Sequence, residues 1–153
     1  MAVRPWLLLA FFGAATFLRA AHAEERPLSA YDRVEIAPTK TSIYIGTIHM
    51  SFPVFVREAG TYSAPYSAKV FPFFFYNEKG TLFIDIDDAT LRRLERGEPI
   101  DFTGHGVNAQ GEMRRVEGRA TPLDVRSGKI KVRVFVTKKI QLVFNTSYRF
   151  VTP

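Results

Sequence analysis

Residues 129–139, KIKVRVFVTKK, alternate with a period of two: Ile130, Val132, Val134 and Val136 fall on one side, and Lys129, Lys131 and Arg133 on the other. Such alternation marks a strand with one face in a core and one in water. The next run, 140–150 (IQLVFNTSYRF), repeats it, with Leu142, Phe144, Thr146, Tyr148 and Phe150 sharing a face. Toward the N-terminus the same pattern gives strands at 112–121, 99–107 and 81–86, the last with Leu82, Ile84 and Ile86 on one side. Further strands are predicted at 61–76, at 51–57 after a break at Pro53, and at 41–50. In the last of these a continuous strand puts Ile43, Ile45 and Thr47 opposite Tyr44, Gly46 and Ile48.

The segments between these runs carry turn chemistry. Glu58-Ala59-Gly60, Asn77 through Gly80, Asn108 through Gly111 and Arg126-Ser127-Gly128 are expected hairpin turns. Thr103-Gly104-His105-Gly106 is expected to bend or bulge within its strand, because no helix follows that could cradle a phosphate. One short helix interrupts the strands. Asp87 or Asp88 caps its start, Leu91 and Leu94 share a face, and Gly97 stops it. Short connections without crossover helices predict an all-β fold: a small antiparallel barrel or sandwich of about eight strands with one short helix.

The chain has 153 residues, 21 Lys plus Arg against 15 Asp plus Glu, 46% apolar residues and no cysteine. These values exclude a disordered tail, a collagen-like polymer, a disulfide-stapled miniprotein and a cysteine-type zinc site. Residues 1–23 have the layout of a signal peptide: Arg4, then thirteen uncharged residues at 6–18 (WLLLAFFGAATFL), then Ala21-His22-Ala23 ahead of Glu24. The apolar stretch is shorter than the ~20 residues that span a bilayer. Export to a periplasm or to the outside, with cleavage near Ala23, is the expectation; a retained anchor is the alternative. Removing 1–23 takes away Arg4 and Arg19 but no acid, which lowers the net charge from +6 to +4. Residues 24–30 form an exposed lead-in, and 31–153 a single β domain.

Two stretches are candidates for recognition. In 70–76, VFPFFFY, an extended chain puts Phe71, Phe73 and Phe75 on one face and Phe74 and Tyr76 on the other. These are either strand core or, for Phe71, Phe73, Phe75 and Tyr76, an aromatic wall for an apolar or lipid-like small molecule inside a small barrel. The second is the cationic row Lys129, Lys131 and Arg133, extended by Arg114, Arg115 and Arg119 if the preceding strand lies alongside. It is either a solvated face that protects a sheet edge or a surface for an anionic polymer or membrane.

Catalytic signals are sparse. His49 and His105 are far apart and sit in no spaced metal motif; Asp85 and Asp87 are a weak carboxylate pair, since Asp87 is better used as a helix cap. No nucleophile elbow, phosphate loop or nucleic-acid motif is present, so no cofactor, metal or nucleic acid is expected. A membrane-spanning barrel is a further alternative, in which the 140–150 face would meet lipid. The leading expectation is an exported, non-enzymatic binding protein that holds an apolar molecule. The second is an envelope-associated interaction protein using its basic face.

Overall fold

The computed structural model of the protein describes residues 25–152, so the expected signal segment lies outside the described residues. Ten strand segments make one antiparallel sheet: β1 (Arg33–Ile36), β2 (Thr39–Ile43), β3 (Gly46–Ser51), β4 (Phe55–Glu58), β5 (Thr61–Phe71), β6 (Glu78–Asp85), β7 (Ile100–Asn108), β8 (Met113–Pro122), β9 (Ser127–Phe135) and β10 (Gln141–Phe150). The sheet closes on itself, because β6 pairs with β5 and β1 pairs with both β4 and β10. The result is a closed eight-stranded barrel with two additional segments.

Those two segments prolong the barrel wall. The pairs Ile43↔Gly46, Thr39↔Met50 and Val34↔Phe55 are all centred on the turn at Tyr44-Ile45, so β1 with β2 and β3 with β4 form one long hairpin in a single register. The ladder is interrupted where Pro38 and Pro53 lie, two residues that have no N–H to donate. The expected single strand at 41–50 is therefore two strands. With the reversal at Tyr44-Ile45, Ile43 and Ile48 both turn inward instead of facing opposite ways.

The barrel is closed at one end. Helix α1 (Asp88–Glu95) crosses it, and Leu91 and Leu94 are 1% and 5% exposed. The helix starts where Asp87 accepts a bond from the Thr90 N–H at 2.7 Å. It stops at Gly97 (φ 84°), where the N–H groups of Gly97 and Glu98 reach back to the carbonyls of Leu94 and Arg93. Leu28–Tyr31 form a turn of 3-10 helix against it, with Tyr31 2% exposed and Leu28 and Ala30 packed on the core. Of the lead-in expected to be exposed, Glu25, Arg26, Pro27 and Ser29 are exposed, while Leu28 and Ala30 are half-buried. Glu95 holds it by accepting from the Arg26 N–H at 3.1 Å, the Tyr31 hydroxyl at 2.8 Å and Arg92 at 2.8 Å.

Four local expectations are corrected. The strand expected over 61–76 ends at Phe71, followed by a cis Phe71–Pro72 bond and a 3-10 turn at Phe74–Tyr76. That connection makes the reversal expected at 77–80, whereas Glu78, Lys79 and Gly80 are already in β6. The glycines at 104 and 106 form no bulge: β7 pairs in unbroken register with β6 and β8, and a Cβ on Gly104 would lie 2.1 Å from the Phe83 carbonyl oxygen. Similarly, the turn placed at 126–128 lies at 123–126, where Asp124 accepts from the Arg126 and Ser127 N–H groups and the Ser127 hydroxyl.

Candidate functional site

Inward residues differ along the barrel axis, and this difference creates the site. Near α1 the interior is walled by Phe55, Tyr62, Ile100, Phe102, Tyr148 and Phe150, all buried. Toward the other end the inward positions mix the slender Thr41, Ala68, Gly106, Val132 and Val134 with the larger Tyr66, Ile48, Leu142 and Phe144. A cavity of about 1020 Å³ is left, running from the mouth down to Leu94 of the helix. An eight-stranded barrel is wide enough either to be filled by its own side chains or to hold one small ligand. This one keeps an apolar space along its length, bounded by bulky aromatic side chains toward α1 and opening at the other end.

The mouth is bounded by the Tyr44-Ile45 turn, Tyr76, the β9–β10 connection with Lys139 and Ile140, and a polar cluster on one wall. In that cluster Glu78 accepts from the Tyr66 hydroxyl and, at 3.2 Å, from the Asn108 amide. Arg114 lies 3.3 Å from Glu78 and 2.9 Å from Glu112. Burial, then the bond to Glu78, pushes the Tyr66 hydroxyl well above its ordinary range, so it stays a donor. The bond from Asn108, then the Arg114 charge, lowers Glu112. Deeper in, Tyr62 donates to the Tyr31 carbonyl, and burial raises its hydroxyl as well. Glu78, Tyr66 and Arg114 thus form a hydrogen-bonded polar strip on the rim of an otherwise apolar chamber.

The expected aromatic wall is only in small part realised. Tyr76 lines the mouth, and Phe73 packs on Ile48, Val70 and Phe144. Phe71 and Phe75 face solvent, 70% and 67% exposed: Phe71 ends β5 on the side opposite the buried Val70, and Phe75 lies in the 3-10 turn where the chain has left the sheet. Of the cationic residues, Lys129, Lys131 and Arg133 do form an outward row, with Arg119 opposite Lys131 and Glu117 opposite Arg133. Arg114 does not belong to it: its side chain turns into the mouth, since it shares the inward face of β8 with Val116 and Ala120. That parity is legible in the sequence, as is that of Glu78 with Leu82 and Ile84, and following it would have placed both inside.

The face of 140–150 offered as lipid-facing lies inside the barrel, while the outward side of β10 carries Gln141, Asn145, Ser147 and Arg149 beside Val143. His105 is outside, stacked on Phe83 at 5.1 Å, and His49 is exposed. Asp85 accepts from the Thr61 hydroxyl and Asp87 caps the helix. Among the described residues no group of three or more metal-binding side chains converges. The site therefore defines a class, a small closed β-barrel with an open, apolar interior. No family model, curated protein or solved structure matches the chain.

Proposed function

We propose that this protein is an exported, non-enzymatic carrier that holds one elongated, largely apolar small molecule along the barrel axis, with any polar end at the Glu78–Arg114–Tyr66 strip. The cavity carries the reading: about 1020 Å³ of apolar-lined space, open at one end, is at the upper end of the size range of small-molecule sites. Apolar lining surface left against water is unfavourable by roughly 25 cal/mol per Å², and an apolar occupant removes it. Any group with a head that both donates and accepts can join the strip, because its hydrogen-bonding side chains present both kinds of atom.

Native mass spectrometry of the purified protein tests this directly. The expected spectrum contains a one-to-one adduct that organic solvent removes and that an environment-sensitive apolar dye replaces with micromolar affinity. Absence of any adduct, together with failure of such dyes to bind, would sink the proposal.

A further inference from the structure

The topology gathers the exposed apolar side chains at the mouth. Four chain connections meet at the open end: β2–β3, β5–β6, β7–β8 and β9–β10. Three of them project apolar side chains into solvent: Phe74, Phe75 and Tyr76 (76%, 67% and 61% exposed), Tyr44 and Ile45 (109% and 54%) and Ile140 (52%). Isolated exposed apolar residues are ordinary on a protein surface, but a ring of them around a cavity entrance is a contact surface. The rings touch one another, Phe75 tilted against Tyr76 at 4.6 Å and edge-on to Phe73 at 5.7 Å, and form one aromatic crest.

Charge is distributed along the same axis. Every ion pair among the described residues is made by an arginine, and none by a lysine. Lys69, Lys79, Lys138 and Lys139 are exposed on or just below the rim. The acids at that end, Glu78 and Glu112, are both engaged by Arg114. Around α1 at the opposite end Asp88, Glu95 and Glu98 are likewise paired, with Arg57, Arg92, Arg93 and Arg96, so the unpaired cations of the rim are its lysines. Aromatic side chains surrounded by unpaired lysines suit the interface of a bilayer, with rings at headgroup depth and ammonium groups among anionic headgroups.

We propose that the open rim docks on an anionic lipid bilayer, mouth down, so that the occupant of the cavity passes between membrane and barrel without crossing water. This goes beyond the carrier reading and uses a different surface from the Lys129–Lys131–Arg133 row. Vesicle partition tests it, with the protein in the form recovered from its host and the variants in parallel. Wild type should float with vesicles containing 30% phosphatidylglycerol and bind neutral phosphatidylcholine at least tenfold more weakly, with retention falling as salt rises. Phe74→Ser with Phe75→Ser, and separately Lys79→Glu with Lys138→Glu, should each weaken partition at least tenfold. None of these four lines the cavity, so dye binding in solution should remain within twofold.

Lys129→Glu with Lys131→Glu should leave partition within twofold. Failure of wild type to partition overturns the inference, and so does loss of partition with the Lys129/Lys131 pair alone. Self-association abolished by Phe74→Ser, without vesicle binding, assigns the crest to a second copy and overturns it too. Partition that follows the rim variants while no dye or native adduct is found leaves docking standing and removes the carrier reading.

Discussion

Ala68→Trp separates a real chamber from a filled core. Ala68 is on the inward face of β5, opposite Met50 on one side and Glu78 on the other, in the open half of the interior. An indole there occupies space that two or three methylene groups of a ligand would take. At about 0.8 kcal/mol per buried CH₂, the ligand loses roughly 2 kcal/mol, which is about a 30-fold rise in Kd. In a close-packed interior the same substitution would cost stability, typically ~1–3 kcal/mol. Here the ring enters vacant space of about 1020 Å³, so the urea midpoint should stay put or rise. Dye titration and urea unfolding read the two quantities, and the new indole also reports, because Trp6 is the chain's other tryptophan. A variant destabilised by 1–3 kcal/mol with unchanged dye affinity would show that the interior is full and that binding occurs elsewhere.

Glu95→Gln should destabilise by about 1–3 kcal/mol in urea unfolding, since it weakens bonds to Arg92, Tyr31 and the Arg26 backbone at a charged acceptor. Burial opposes ionisation of Glu95, but bonds from Arg92 and Tyr31 outweigh it and set its folded pKa below the ordinary 4.5. Its stabilisation is therefore fully present above about pH 4.5 and is lost as pH falls through the lowered value, and the variant should show a smaller loss over that window. Ala59→Gly should add about 0.5–1 kcal/mol, because Ala59 holds a left-handed φ of 48° in the two-residue turn between Glu58 and Thr61; a melting temperature unchanged or lowered contradicts this. Gly118→Ala should cost about 1–3 kcal/mol, as the added Cβ would come within 2.2 Å of the buried Phe102 ring. A wild-type denaturation curve for that variant would mean the ring moves freely.

What local chemistry controls was readable from the residues. The parity of 81–86, 129–139 and 140–150 was right, with Ile84, Ile130, Val132, Phe144 and Tyr148 inward, because a pleated strand with one wet face leaves a period of two in its composition. Asp87 and Gly97 delimited α1 because caps act over three or four residues. Where two strong local signals met, the reading failed. Tyr44-Ile45 has the side chains of a strand and serves as a turn, since pairing of 39–43 with 46–51 outweighs the preferences of two residues.

The amino-acid sequence alone therefore determined that this is a sheet protein with one capped helix and an apolar face on each strand. Only the tertiary structure decided that the sheet closes, that the inward residues leave a cavity open at one end, and that Phe71 and Phe75 face solvent instead of lining a wall. The reason is range: alternation and capping are fixed by neighbours a few residues apart. Closure joins β1 to β10 across more than a hundred residues, and the cavity is the space that no single strand can specify.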